Sequence, residues 1–316
     1  SIGDILYSRV GAKYGEAAVV EHNFEFSVYV SLTLIRAKKG LVDNYFLKNY
    51  LNSPKIKDLA KESISSSGVP NLNVKSVREF PVPIPPLNEQ HKIVAILDKT
   101  FAAIDKAKAN AEQNLKNAKE LFESYLQNVF ETKGEGWEEK TWSDLIEIRS
   151  GRNQKEVLNP DGKYPILGSA GKVMGYADKF ICEEGTTIIG RKGTIDKPLF
   201  IDTKFWNVDT AFGLIAGDKL TKEFLFYFCK SMDFKELDKG TTLPSLVKKD
   251  LVNIKMPFPK TLKEQKQIVE KLNGFSAKTK KLEAIYQQKL EDLEELKKSV
   301  LQKAFKGALK TEKSIV

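Results

Sequence analysis

Cysteine is almost absent from this chain of 316 residues: Cys182 and Cys229 are the two it has. Two cysteines make neither a disulfide framework nor a zinc site, and they fit a reducing, cytoplasmic setting. Histidine is equally scarce, and neither His22 nor His91 shares a metal-ligand spacing with a cysteine. No run of about eighteen apolar residues and no signal-peptide pattern occurs, so neither a membrane span nor secretion is expected.

Recognisable catalytic chemistry is missing as well. Gly185-x-x-x-x-Gly190-Arg191-Lys192 is a near miss for a phosphate-binding P-loop. That motif needs Gly-Lys followed by Ser or Thr, whose hydroxyl meets magnesium; here Arg191 intrudes and Gly193 follows. Pro160-Asp161 has no Glu-x-Lys in the stretch behind it, so a nuclease centre of that pattern is unsupported. There is no Asn-Pro-Pro-aromatic or Asp-Pro-Pro-aromatic tetrapeptide of the amino-methyltransferase kind. Asp and Glu are plentiful but do not pair into an acid–base site. The expectation is a chain that is not an enzyme and uses no cofactor or metal.

Acidic residues are outnumbered, 42 against 51 basic ones, for a formal net charge of +9. A basic balance favours a polyanionic partner, most often nucleic acid. A merely lysine-rich surface would give the same balance.

What the chain does have is one stretch that occurs twice. Leu87–Phe130 aligns without a gap on Leu262–Phe305. Leu87/Leu262, Glu89/Glu264, Gln90/Gln265, Ile93/Ile268, Val94/Val269 and Leu97/Leu272 are identical pairs, and the match runs on through Leu115/Leu290, Leu126/Leu301 and Phe130/Phe305. A repeat of this length is one supersecondary unit used twice.

Each copy reads as a long helix. Ile93, Leu97, Phe101, Ile104, Ala111, Leu115, Ala118 and Phe122 mostly fall three or four apart, as do Leu282, Tyr286, Leu290, Leu293, Leu296 and Val300. That spacing is a seam along one helix face, as in a coiled coil. Neither copy contains proline. The second opens with Thr261-x-x-Glu264, a capping-box pattern, and the first follows Pro85-Pro86, which cannot continue a helix backwards. At 1.5 Å per residue each helix would be roughly 60–65 Å long. The economical partner for each apolar stripe is the other copy, which predicts an antiparallel pair; the competing reading packs each helix on its own neighbouring domain.

Ahead of each helix lies a globule. In residues 1–86, Gly3–Gly11 reads as a strand ending in a basic turn, Phe26–Ile35 as a strand-like run, and Val42–Leu51 and Ile56–Ala60 as short helices. Ser65–Leu72 reads as a loop, and Pro81–Pro86 is a stiff, extended lead-in. After the linker Lys133–Trp137, strands are expected at Tyr164–Gly168, Thr186–Ile189 and Leu199–Ile201, and a helix at Lys222–Met232. The globules match as well: Gly185–Gly193 on Gly3–Gly11, Pro244-Ser245-Leu246 on Pro70-Asn71-Leu72, and Pro257-Phe258-Pro259 on Pro83-Ile84-Pro85. The second has all of Trp137–Glu184 ahead of its Gly185, the first only Ser1 and Ile2 ahead of Gly3, so the first globule is expected to be truncated relative to its twin.

These residues carry a resemblance. Pro83-Ile84-Pro85-Pro86-Leu87-x-Glu89-Gln90-x-x-Ile93-Val94, its echo at Pro257–Val269, Gly240-Thr241-x-Leu243-Pro244-x-Leu246 and Gly190–Thr194 resemble the specificity (S) subunit of type I restriction–modification systems. The resemblance spans essentially the whole chain. It implies an α+β protein in which two mixed α/β target-recognition globules are separated by two long conserved helices forming an antiparallel coiled coil. The implied divisions are 1–86, the C-terminal part of a first target-recognition domain; 87–133, a central helix; 134–260, a second target-recognition domain; and 261–316, a distal helix. It further implies a non-catalytic, sequence-specific subunit that reads a bipartite target in double-stranded DNA. Its partners would be methyltransferase (modification) subunits and a restriction/translocase subunit; pairing of two shortened chains would be another way to complete a reader. The rival reading is a coiled-coil adaptor with two protein-binding heads and no role on DNA.

Base-reading residues would lie on polar, basic loops. The strongest candidate is Ser150-Gly151-Arg152-Asn153-Gln154-Lys155, because Arg reads guanine, and Asn or Gln reads adenine, through paired hydrogen bonds. The Gly190–Thr194 turn adds Arg191, Lys192 and Thr194 where glycine allows close approach to a phosphate backbone. Lys239 and Thr241 are similar candidates. In the first globule Arg9, Lys13, Tyr14 and Ser65–Ser67 hold comparable places. Each loop could equally be an ordinary polar turn, and Phe205 and Trp206 read as core.

Overall fold

The structure, a computed structural model, describes residues 1–23, 25–64 and 69–306. The chain divides into two compact units: Ser1–Leu115 together with the chain from Ala284 onward, and Lys116–Glu283. Both long helices contribute to both units.

The first unit begins with three strands, β1 (Ile5–Ser8), β2 (Ala17–Val19) and β3 (Leu32–Ile35), followed by helices α1 (Asn44–Leu51), α2 (Pro54–Glu62) and α3 (Val74–Arg78). The strands form an antiparallel sheet in the order β2-β1-β3. Asp43 caps α1 by accepting from the Phe46 N–H at 2.9 Å, which satisfies one of the free donors of the first turn. The core gathers Ile5, Tyr7, Leu47, Tyr50, Leu51, Ile56 and Leu72. The extended run expected over Phe26–Ile35 is shorter: only Leu32–Ile35 is strand. β1 offers four residues to pair with, Ser8 facing Leu32 ends the ladder, and the Leu32 N–H turns back onto the Tyr29 carbonyl.

Helix α4 (Leu87–Thr132) leads to β4 (Glu138–Thr141), α5 (Trp142–Leu145), β5 (Ile146–Ser150), β6 (Tyr164–Leu167), β7 (Val173–Ala177), β8 (Thr186–Gly190), β9 (Leu199–Ile201), β10 (Trp206–Asn207) and β11 (Ala211–Ala216). Then come α6 (Lys222–Ser231), a 3-10 turn at Phe234–Leu237, α7 (Lys248–Leu251), β12 (Lys255–Phe258) and α8 (Leu262–Phe305). The sheets run β5-β11-β8-β9, β10-β6-β7 and β12-β4. Trp142, Phe224, Phe228, Phe234 and Phe258 fill the main core of this unit.

The repeat is reproduced at the level of single hydrogen bonds. Val10 bridges Asn71, and Lys192 bridges Ser245. The Leu72 N–H donates to the Arg9 carbonyl at 2.9 Å, and the Leu246 N–H to the Arg191 carbonyl at 2.8 Å. Gly11 and Gly193 take the same left-handed turn, with φ of 87° and 82°, which a side chain would strain. The globules differ at their edges. β11 lies between β5 and β8, whereas its counterpart β3 has β1 on one side and, among the described residues, no strand on the other. Phe258, on β12 beside β4, is 1 % exposed, while its counterpart Ile84 is 50 % exposed.

The long helices run antiparallel. In the first unit Leu97 clusters with Leu301 and Ala304, Lys297 reaches Asp105 at 3.0 Å, and Lys108 reaches Glu294 at 2.5 Å, so numbering rises along one helix as it falls along the other. In the second unit the Tyr125 and Phe275 rings lie 4.6 Å apart. Ala111 and Ala118 are buried along α4, and the Thr261 hydroxyl accepts from the Glu264 N–H at 3.2 Å to cap α8. Two expected seam positions fall outside it: Leu282 is 38 % and Leu296 47 % exposed. Leu296 sits one residue off the row Leu293, Lys297, Leu301 and Ala304, a turn of about 100° away from the less exposed face. Among the described residues no helix is long and apolar enough to cross a membrane.

Candidate nucleic-acid interface

In the second unit, strand pairing brings three predicted loops onto one strap, residues 207–211, between β10 and β11. β5 and β8 both pair with β11, so the loop after β5 and the turn after β8 emerge beside the strap. The Arg152 N–H donates to the Asn207 carbonyl at 3.0 Å, and the Gly151 N–H to the Ala211 carbonyl at 3.0 Å. From the other side the Arg191 N–H donates to the Thr210 carbonyl at 2.7 Å, and the Lys192 N–H to the same carbonyl at 3.2 Å. The 239–246 loop joins through the Gly193 N–H to Pro244 carbonyl bond of 2.9 Å and the Lys239 N–H to Ser245 carbonyl bond of 2.9 Å. Gly151 is required by close approach, because a Cβ there would fall 1.8 Å from the Val208 carbonyl oxygen.

Arg152, Asn153 and Lys155 are exposed, and Gln154 is half-buried. The side-chain Oδ1 of Asn153 accepts from the Lys155 N–H at 3.0 Å, which stiffens the loop and occupies one of that oxygen's lone pairs. Lys192, Lys239 and Thr241 are exposed, while Arg191 and Thr194 are half-buried. Arg191 donates to the Asp209 carbonyl at 3.2 Å and lies 6.0 Å from the centre of the Phe212 ring. Asp238 braces its loop by accepting from Gly240 at 2.7 Å and Ser245 at 2.8 Å, and these N–H groups hold its carboxyl below the usual range.

Several residues of the site were not singled out from sequence. Asn207 is fully buried, and its side-chain amide donates to the Ala211 carbonyl at 3.2 Å across the strap. Trp206 is core, as read, but its indole N–H donates to the Arg152 carbonyl at 3.1 Å and so anchors the loop from below. The polar turn residues Asn207, Asp209 and Thr210 were the available signal. Arg149 is half-buried: it pairs with Glu147 at 2.7 Å and donates to the Ile181 carbonyl at 2.9 Å.

The first unit holds Arg9, Lys13 and Tyr14. The Arg9 guanidinium donates to the Leu72 carbonyl at 3.0 Å and also to the Val30 carbonyl, tying two loops together. Lys13 is exposed, and Tyr14 packs against the core. Ser65–Ser67 lie outside the described residues. Among the described residues no group of three His, Cys, Asp or Glu side chains could hold a metal ion. Burial pushes the Cys182 thiol up to about 12, which keeps it protonated and unreactive.

The family model for the type I restriction modification DNA specificity domain matches residues 2–116 and again 134–293. The chain belongs to that family. It is similar to the type I restriction enzyme MjaVIII specificity subunit of Methanocaldococcus jannaschii, 26 % identical over 355 residues, covering 97 % of this chain and 79 % of the relative. A solved structure from work on complex assembly and conformational transition of the type I R-M system superposes with a TM-score of 0.87 at 21 % identity, over 97 % of this chain and 82 % of that one. The HsdS subunit of Thermoanaerobacter tengcongensis gives a TM-score of 0.65 at 21 % identity, over 97 % and 81 %. At that identity the two structures bear on the fold alone. It is an α+β fold of mixed globules and two long antiparallel helices.

Proposed function

We propose that this chain is the non-catalytic, sequence-reading subunit of a type I restriction–modification complex. It reads a two-part word in double-stranded DNA, one part with residues 1–86 and the other with residues 134–260, and its long helices set the gap and dock modification subunits, with a restriction subunit joining the assembly. The observation that carries this reading is the strap at residues 207–211. Two basic loops are hydrogen-bonded to it, leaving Arg152, Asn153, Lys155 and Lys192 at the surface. Such a surface suits DNA: lysines meet phosphates, while Arg152 and the free amide of Asn153 meet base edges. Tethering the loops to one backbone segment gives them a common register, which base reading demands and phosphate binding does not.

The test is binding of the full chain to duplex DNA across a salt series, with methylation mapped genome-wide in cells with and without the subunit. Affinity should fall steeply and linearly on a log–log plot, because each phosphate contact releases counterions. A two-part methylated word should vanish when the subunit is removed. Salt-insensitive binding, or an unchanged methylation map, would favour the adaptor reading instead.

A further inference from the structure

Gln90 and Gln265 occupy matched positions in the first turn of α4 and α8, and both are fully buried. A buried carboxamide is costly unless its groups find partners. Here each finds three, all on the backbone. The Gln90 Oε1 accepts from the Asp43 N–H at 2.8 Å, and its Nε2 donates to the Leu41 carbonyl at 3.0 Å and the Pro85 carbonyl at 2.7 Å. The Gln265 Oε1 accepts from the Thr221 N–H at 2.8 Å, and its Nε2 donates to the Lys219 carbonyl at 2.8 Å and the Pro259 carbonyl at 3.1 Å.

The partners are equivalent in the two units. Asp43 and Thr221 are the N-caps of α1 and α6, the helices that carry each globule's core. Leu41 and Lys219 lie two residues before those caps, and Pro85 and Pro259 hold matched places in the two lead-ins. The side chains at these sites differ between the halves, Leu against Lys and Asp against Thr, but the glutamine and the three backbone bonds are the same. One planar group thus ties the lead-in, the long helix and the globule's helix cap together. A glutamate of the same shape could accept but, when ionised, not donate, and leucine could do neither. The long helix cannot tilt against its globule without breaking these buried bonds.

We infer that Gln90 and Gln265 are spacing-determining positioning residues: each locks the direction in which a long helix leaves its globule, so that the gap between the two half-sites is held to one length. This rests on the proposed reading of a two-part word. Neither glutamine is on a recognition loop, so the words themselves should not depend on them. A gap change of one base pair is about 3.4 Å along the duplex, a displacement that a loosened joint at the base of a long helix can supply.

The experiment uses the full chain in its assembled methyltransferase complex, with methylated sites mapped genome-wide for wild type, Gln90→Leu, Gln265→Leu and the milder Gln265→Glu, which keeps the shape and the acceptor. Wild type should accept one gap length. In the variants both half-site words should persist, and sites one base pair longer or shorter should rise from background to within about tenfold of the ordinary site, the scale of a single-position penalty. A folded variant that keeps the single gap would overturn the inference. So would a variant whose words change, or failure of all three variants to fold, since the clamp would then serve recognition or folding rather than spacing. A wild-type map with no two-part word would bring down the reading beneath, and this inference with it.

Discussion

Phe130 and Phe305 end the two long helices in the same way. The Phe130 ring lies 5.3 Å from Phe224 and 5.4 Å from Phe228, on the helix α6 that carries the second globule's core. The Phe305 ring lies 5.4 Å from Phe46 and 5.1 Å from Tyr50, on the helix α1 that carries the first. Each globule therefore holds the start of the helix that follows it through a glutamine and the end of the other helix through a phenylalanine. Edge-on aromatic contacts of this kind add to the area they bury.

Phe130→Ala should cost about 3–5 kcal/mol, the usual range for a buried aromatic, because the surrounding rings cannot close the space. Phe305→Ala should cost less, since its ring is only partly buried. Hydrogen exchange should show the loss in Lys116–Glu283 for the first variant and in the Ser1–Leu115 unit for the second. Loosening of the opposite unit in either case would contradict the assignment.

Arg152→Ala should relax sequence choice at one base position by about 1–3 kcal/mol while leaving much of the non-specific affinity in place. Asn153→Ala should also loosen the loop, because its side-chain carbonyl braces the Lys155 N–H. Binding selections from randomised duplexes would read both. An equal loss on every sequence would make these residues phosphate contacts.

Inserting seven residues into each long helix at the level of Lys108 and Glu294 keeps the seam facing and adds roughly 10 Å of rod. The accepted gap between half-sites should lengthen in the methylation map. A gap that stays the same would end the idea that the rods set it.

Asp4 is buried and receives Arg36 at 2.7 and 2.8 Å, and this guanidinium holds its carboxyl well below the usual carboxylate range. A carboxylate depressed in the folded state stabilises above its unfolded value of about 3.9, and the contribution is lost as pH falls through the lower folded value. The first unit should therefore weaken on acidification below about pH 4, and Arg36→Ala should flatten that acid limb. Denaturation midpoints against pH for both proteins would check it. An unchanged limb in the variant would show that other carboxylates govern the acid response.

The rods were legible because apolar residues recur at helical spacing over more than forty positions, long enough to outweigh any local accident. Their antiparallel pairing followed from two stripes that each needed cover. Leu282 and Leu296 were misplaced because a spacing rule counts residues but does not say which row meets the partner. The Arg152 loop and the Gly190–Thr194 turn were visible as polar, glycine-bearing breaks between apolar runs. The strap that joins them was not, because β10 has two residues and its partner β6 lies far back in the chain.

By itself the sequence determined what is local or repeated: two long helices, two related globules, a basic balance and polar loops at matched places. Those depend on side-chain period and turn chemistry, which act within a few residues of themselves. Only the tertiary structure decided that Arg152 and Arg191 share one strap, that Arg9 is spent on two carbonyls, and that Gln90 and Gln265 each close on three backbone groups. Such contacts join residues distant in sequence, and a hydrogen bond forms only where folding has already set the donor about 3 Å from its acceptor.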